Sequence, residues 1–377
     1  MLRVLEVNVD DHLHGGVYVL VKNIIENLPN DITADIAALE PFDDYKHITE
    51  FEQYGSSVYY VGSNRNKILK QLDIYRNIKR IVKKNKYDVV HLHSDVSHKI
   101  LVSALASKKE TKCLIFHSHA SDAEGGHLAV RRAFHRLCCF FLKRIPAIYV
   151  ATSFDAGKWM FPWAKNDEVI ILDNGIDYNR FRYDEKKRKE KREELKIDSV
   201  IYLIGLFGRF VPAKNPMYSI KILESLLKQD KNIRLLCIGE GPLKKDFVKV
   251  LKEKALEQYV CFISNTDSIE EYYQAIDALI MPSNFEGFGL VAVESQISGT
   301  PTIVSKNVPE KTNISELIHY LPIQEDAVNQ WSELLLRERS YVKHDVSKKI
   351  DKRYEIQILV EKLVEIYRNR ESAYRKI

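Results

Sequence analysis

The chain has 377 residues, of which 45% are hydrophobic and 29% charged, with a formal net charge of +5. At roughly 100–200 residues per domain this length holds two domains, three at most, and the apolar content excludes a globally disordered chain. The basic excess is mild and fits an anionic partner such as a nucleotide phosphate, a membrane surface or a nucleic acid.

The first residues carry an acidic Glu6 and no cleavage-site pattern, so they read as a strand over 4–9 and not as a signal peptide. The chain then alternates: a helix over 17–28, strands over 32–39 and 57–61, and a basic amphipathic helix over 66–85 with Ile68, Leu72, Ile78 and Val82 at approximate helical spacing. A strand over 89–93, a helix over 97–107, a strand over 113–119, a helix over 128–142 and strands over 147–152 and 169–172 follow. Residues 184–196 are a run of Lys, Arg and Glu that reads as a linker or a solvated helix. After it the alternation restarts, with strands over 201–207, 233–238, 260–263, 277–281 and 302–305 and helices over 218–227, 243–256, 269–275 and 290–297. A long helix over 351–368 closes the sequence. Short apolar strands alternating with helices predict two consecutive α/β units, each with a doubly wound parallel sheet. No apolar run approaches the roughly 20 residues needed to cross a bilayer. The five cysteines, Cys113, Cys138, Cys139, Cys237 and Cys261, are scattered and odd in number, which fits buried thiols in a reducing compartment. No CxxC pair or Cys/His cluster suggests a zinc site.

Four strand-to-helix turns could carry chemistry. Gly15-Gly16 lets backbone N–H groups approach a phosphate at a helix start. In the second half, Gly208-Arg209 through Lys214-Asn215 brings two cations to the carboxyl end of a strand, where open α/β sheets bind ligands. Arg offers a planar fork and Lys a point charge, a pairing suited to a diphosphate, although the spacing is not that of a P-loop. The turn Gly239-Glu240-Gly241-Pro242 has the same form. The most specific segment runs from Pro282 to Ser295. Glu286 and Glu294 are separated by seven residues, Gly287, Phe288 and Gly289 keep the loop open, and the N–H groups of Gly289, Leu290 and Val291 begin a helix facing an anion. Carboxylates suit hydroxyl-rich ligands because their oxygens accept short, strong hydrogen bonds.

This segment resembles the E-x7-E signature of retaining glycosyltransferases with the GT-B fold. Asn174-Gly175-Ile176-Asp177 with Phe181, Gly239-Glu240-Gly241-Pro242 and Ser298-Gly299-Thr300-Pro301 match the family's other landmarks in order. The resemblance covers nearly the whole chain and is most specific in its second half. It implies two Rossmann-like domains facing a central cleft: an acceptor-side domain over 1–175, a nucleotide-sugar domain over 176–350, and a crossover helix over 351–377 that returns to the first domain. It further implies that Arg209 and Lys214 hold the donor diphosphate, that Glu286 contacts the donor sugar and Glu294 the ribose, and that Gly15 and Gly16 lie over the phosphates. Gly239, Ser264 and Asn265 are expected beside the nucleotide. A histidine at the end of a first-domain strand would face the sugar, and His117 and His119 both qualify. His119 stands at the strand's end, and alternation puts both on one face.

The expected reaction is transfer of a hexose or N-acetylhexosamine from a UDP-sugar to a glycan or lipid-linked acceptor in exopolysaccharide or capsule synthesis, with retention, no cofactor and no metal. The basic, partly apolar stretches 65–86 and 131–144 are expected to touch an anionic membrane peripherally from the cytoplasmic side. The alternative is a non-catalytic nucleotide-sugar or nucleic-acid binder. The near absence of interleaved aromatics in 65–86 speaks against nucleic acid.

Overall fold

The computed structural model describes residues 1–11, 16–120, 122, 128–264 and 266–369. Gly15 and Asn265, both expected at the donor site, lie outside these described residues. The chain divides into two compact units, Met1–Ile176 with Tyr354–Ile377, and Asp177–Arg353.

The first unit contains β1 (Leu2–Val7), α1 (Gly16–Glu26), β2 (Ile32–Ala38), α2 (Tyr45–Gln53), β3 (Val58–Tyr60), α3 (Lys67–Asn85), β4 (Val89–Ser94), α4 (Ser97–Ser107), β5 (Cys113–Ser118), α5 (Leu128–Leu142), β6 (Ile148–Ala151), α6 (Phe154–Met160) and β7 (Val169–Ile171). Its seven-stranded sheet has the order β3-β2-β1-β4-β5-β6-β7, with every pair parallel. The strands β4, β5 and β6 are buried on both faces, as expected of a parallel sheet covered by helices. One face packs on α1 and on the C-terminal helix Ile356–Arg368 through Ile24, Ile115, Leu359 and Leu363. The other packs on α3 and α4 through Ile78, Val82, Ile100 and Ala104.

The second unit contains α7 (Tyr178–Phe181), α8 (Glu185–Glu194), β8 (Tyr202–Phe207), α9 (Pro216–Leu227), β9 (Ile233–Ile238), α10 (Lys244–Glu253), β10 (Val260–Ile263), α11 (Ile269–Ala275), β11 (Ala278–Met281), α12 (Leu290–Ile297), β12 (Thr302–Ser305), β13 (Ile318–Leu321) and α13 (Val328–Glu338). Its parallel sheet has the order β10-β9-β8-β11-β12-β13. Trp331 of α13 is fully buried against α9 and the sheet. Each unit is therefore a doubly wound α/β sheet of the Rossmann type. In each, the chain reverses its direction of travel across the sheet at one place, between β1 and β4 and between β8 and β11.

Several expectations need correction. The charge run 184–196 is not a linker. It forms α8, and one face of it docks: Arg188 and Arg192 both pair with Asp277, and both donate to carbonyls at the end of α11. The buried Lys343 amine donates to the carbonyls of Tyr273, Gln274 and Ile276. Two guanidinium groups and the Lys343 amine, whose pKa burial and the nearby Arg188 push well down, thus satisfy one helix C-terminus, where orphan carbonyls need donors. In α3 the core face is Ile74, Ile78, Ile81 and Val82, and Ile68 is 77% exposed; the spacing read from the sequence mixed two faces. The C-terminal helix begins at Ile356, after a turn over 353–354 and a single parallel bridge between Ile176 and Glu355. The elements α2, α6, β13 and α13 had no sequence expectation. All five cysteines are free thiols, and among the described residues no helix is long and apolar enough to cross a membrane.

Arg192→Ala is expected to destabilise the protein by about 2 kcal/mol, because it takes the cation from one oxygen of the partly buried Asp277 carboxylate and leaves the carbonyls of Ala275, Asp198 and Ile201 without this donor. Urea unfolding should show this as a lower midpoint at unchanged slope; a change below about 1 kcal/mol would mean that α8 is merely solvated surface.

Candidate active site

The loops after β8 and β11 meet at the strand-order reversal of the second unit, the position at which open α/β sheets hold ligands. Residues Pro212–Lys214 form a single 3-10 turn. The backbone N–H groups of Asn284 and Phe285 donate to the carbonyl of Ala213, and the Asn284 side chain donates to the carbonyl of Pro212. These bonds zip the two loops together. Across the junction the Lys214 ammonium donates to both oxygens of Glu286 at 2.6 Å, and the Ser283 hydroxyl donates to Glu286 Oε1 at 2.7 Å. Glu286 is buried, while the Lys214 side chain is 29% exposed. Gly208, Arg209, Lys214, Met281 and Ser283 line a small pocket here, and Arg209 itself is exposed.

Gly239 packs directly against this loop. It has φ +137°, and a Cβ there would lie 2.2 Å from the Gly208 carbonyl oxygen. The 239–241 turn therefore braces the Arg209 loop by close backbone approach, with Phe210 N–H donating to the Glu240 carbonyl. Gly289 starts α12 at φ +95° with no side-chain cap, so first-turn N–H groups of that helix remain available to an anion. Gly287 is exposed, Phe288 and the first-turn residues Leu290 and Val291 are half-buried, and Ser264 is exposed at the end of β10. The Lys311 ammonium sits 4.9 Å from the centre of the Phe288 ring.

One turn into α12, Glu294 accepts from the Tyr273 hydroxyl at 2.7 Å. Burial pushes the Glu294 carboxyl up, against the opposing pull of Tyr273 and the Arg180 guanidinium. Arg180 in turn pairs with Glu270 at 2.8 Å.

In the first unit the sheet register sets Glu6 beside His91 and His93 beside His117. Alternation puts all four on one face, the face covered by the C-terminal helix. The Tyr367 hydroxyl of that helix donates to Glu6 Oε1 at 2.8 Å and lies 2.9 Å from His91 Nδ1. His91 Nε2 meets His117 Nδ1 at 3.1 Å, His93 Nε2 meets Glu6 Oε2 at 2.7 Å, and His93 Nδ1 meets His119 Nε2 at 2.9 Å. His117 is buried and its Nε2 has no hydrogen-bond partner; His119, one residue past β5, is half-buried. Of the two candidate histidines, His119 is therefore the one a ligand can reach. Gly16 is the exposed first residue of α1.

The ring nitrogens of His91, His93 and His117 lie within 4.8 Å of one another, a grouping of possible metal ligands that the sequence did not reveal. Five of those six nitrogens are already engaged in hydrogen bonds, so the cluster is built as a proton network. Burial opposes ionisation of Glu6, but His91 and His93 outweigh it and hold its carboxyl well below the usual range. Burial, with His91 beside it, lowers His93 to about 4; burial and the neighbouring imidazoles lower His117 as well.

Sequence reasoning missed Tyr273, Ser283, Glu6, His91, His93 and Tyr367. The signal for two of them was present: His91-x-His93 and His117-x-His119 end consecutive strands with identical spacing, and a polar residue alternating within an apolar strand demands a buried partner. Nothing in sequence links Tyr273 to Glu294 or Tyr367 to Glu6.

Two consecutive doubly wound α/β units, one of them with cations, a carboxylate and an open helix start at its sheet reversal, have the architecture of the GT-B fold. Residues 187–319 match the family described as Glycosyl transferases group 1, and residues 14–180 match Glycosyltransferase Family 4. The chain is 26% identical over 300 residues to the Escherichia coli O-antigen biosynthesis glycosyltransferase WclY, covering 78% of this chain and 77% of that one. It is 23% identical over 243 residues to the Escherichia coli UDP-Gal:alpha-D-GlcNAc-diphosphoundecaprenol alpha-1,3-galactosyltransferase, covering 63% and 62%. Among solved structures, Anabaena HepE in complex with UDP and glucose shares the fold with a TM-score of 0.76 at 16% identity, over 97% of this chain and 99% of that one.

The lowered histidines give a signed pH dependence. Each of His93 and His117 takes up a proton on unfolding below pH 6.5, so its contribution is whole above that pH. It is lost as the pH falls towards 4, by about 1.4 kcal/mol per pH unit per group. Urea midpoints taken at pH 7.5 and 5.5 should fall accordingly, and His117→Gln should remove one group's share of the slope. A wild-type midpoint flat across this window would contradict the buried neutral imidazoles.

Proposed function

We propose that this protein is a retaining, metal-independent glycosyltransferase that moves a hexose or N-acetylhexosamine from a UDP-sugar to a glycan or lipid-linked acceptor in surface polysaccharide synthesis. The observation that carries the reading is the zipped pair of loops after β8 and β11, which pairs Lys214 with Glu286 beside a small pocket lined by Arg209, Lys214 and Ser283. The relatives support the setting: one is an O-antigen glycosyltransferase, and another uses UDP-Gal and a diphosphoundecaprenol-linked acceptor. HepE, solved with UDP and glucose, supports the nucleotide.

In this reading Arg209 and Lys214 neutralise the donor diphosphate and the charge that develops on the leaving nucleotide, and the first-turn N–H groups of α12 add fixed dipoles. Glu286 accepts from hydroxyls of the donor sugar while its Lys214 contact opens towards phosphate. Glu294, with Tyr273 holding one oxygen, accepts from the ribose. His119 stands at the sugar as proton donor or acceptor.

UDP at a hundred times its dissociation constant should stabilise the protein by about 2.7 kcal/mol, a rise in Tm of roughly 5–10 °C for a unit of this size. The rise should survive EDTA and vanish in Lys214→Ala, read from that variant's own baseline. No rise with UDP, or one that EDTA removes, would reject the donor assignment.

We further propose that α5 is the membrane-facing element of a peripheral enzyme acting at the cytoplasmic face. Its buried side is His135, Cys138, Cys139 and Leu142. Its outer side carries Phe134, Leu137 and Phe140, each more than half exposed, among Arg131, Arg136, Lys143 and Arg144. Apolar residues within a cationic rim fit an anionic bilayer. Sedimentation with vesicles of anionic lipid should retain the protein, neutral vesicles should not, and Phe134→Ser with Phe140→Ser should release it. Equal binding to both vesicle types, or concentration-dependent self-association abolished by the same pair, would overturn the assignment.

A further inference from the structure

The polar cluster of the first unit runs in one direction, from a fully buried carboxylate to a half-exposed ring. An ionised carboxylate only accepts hydrogen bonds, so the bond from His93 to Glu6 Oε2 at 2.7 Å puts a hydrogen on His93 Nε2. Neutral His93 then presents a bare Nδ1, and the hydrogen in its 2.9 Å bond to His119 belongs to His119 Nε2. That leaves His119 Nδ1 with the lone pair, as the ring atom that can meet a ligand.

We propose that Glu6 and His93 are positioning residues for His119: through His93 the carboxylate fixes which nitrogen of His119 is bare, and it gives an incoming proton a place to rest. When a proton arrives at His119 Nδ1, the hydrogen on His119 Nε2 can pass to His93 Nδ1. One proton enters, one shifts, no other bond changes, and the cation lies on His93 beside Glu6. The other groups facing this path are the imidazoles of His91 and His117 and the Tyr367 hydroxyl; none of them carries negative charge, so Glu6 alone stabilises an imidazolium here. The second proton site on each ring is what makes such a relay possible. Tyr367 donates to the carboxylate's other oxygen, and the direction of the hydrogen-bonded chain is set by the charge of Glu6 itself, which can only accept. The inference deepens the assignment of His119 as the site histidine and rests on it.

The test uses the full chain labelled with nitrogen-15 in its histidines, with ring tautomers read at pH 7.5 by long-range proton–nitrogen correlation and His119 assigned from His119→Asn. The wild type should show His119 as a single Nε2–H tautomer. In Glu6→Gln the amide can donate as well as accept, the direction is lost, and His119 should become a mixture of tautomers with at least a fifth in the Nδ1–H form. Tyr367→Phe, which keeps the carboxylate, should leave the tautomer unchanged. If Glu6→Gln does not fold, His93→Phe breaks the link with a ring of similar size and should give the same mixture. A wild-type Nδ1–H ring, or a single unchanged tautomer in the variants that break the link, overturns the relay; a merely structural role would lower stability and leave the tautomer alone. The UDP-induced rise in Tm is recorded on the same samples: its absence in the wild type would count against the donor assignment, while the tautomers still decide the relay.

Discussion

Both polar clusters owe their position to one constraint. Parallel strands must be joined by crossovers, and a sheet wound outwards in two directions from its first strand leaves a crevice at the carboxyl ends where the winding reverses. In the second unit that place lies between β8 and β11, and it holds the loops of Lys214 and Glu286. In the first it lies between β1 and β4, and it holds Glu6, His91 and His93. In the second unit the Lys214 side chain there stays partly exposed; in the first, Glu6, His91 and His93 are buried under the C-terminal helix, and His119, just past the end of β5, is partly exposed.

The ion pair of the second unit shows how such a site keeps its shape without a ligand. A buried carboxylate needs a cation, and Glu286 has Lys214 and the Ser283 hydroxyl. A phosphate arriving at Lys214 competes with Glu286, and a sugar hydroxyl arriving at Glu286 replaces part of what Lys214 gave it. In the proposed function, the two halves of a nucleotide sugar would exchange the Lys214–Glu286 pair for two external contacts, a coupling that would favour a ligand carrying both groups.

Much of the fold was legible because it is written in short-range signals. Short apolar runs closed by turn residues mark buried parallel strands, and they located twelve of the thirteen strands within a residue or two. The donor-side loops were legible for the same reason: a cation or a glycine right after a strand is already at the carboxyl end of a sheet. What the sequence hid depends on long separations. α8 reads as solvated because its composition is charged, yet Arg188 and Arg192 find Asp277 more than eighty residues later. Glu6 reads as a residue that merely spoils a signal peptide, and its partners come from β4 and from the C-terminal helix. Gly239 reads as a turn residue, and only the structure shows the backbone of Gly208 lying against it. The outward apolar face of α5 was likewise visible as composition but not as orientation.

Tyr367 and Glu6 are 361 residues apart, and this bears on how the protein is made. A domain emerging from the ribosome usually folds as a unit before its successor. Here the first unit can form its sheet early, but its innermost carboxylate keeps a missing donor until the whole intervening unit has been synthesised. Through that interval the nascent first unit must keep the future seat of the C-terminal helix, an apolar face with an unfinished polar centre, open to the cell. The order of synthesis therefore makes this face the natural target of a chaperone, and makes helix docking the step that commits both units to the finished molecule.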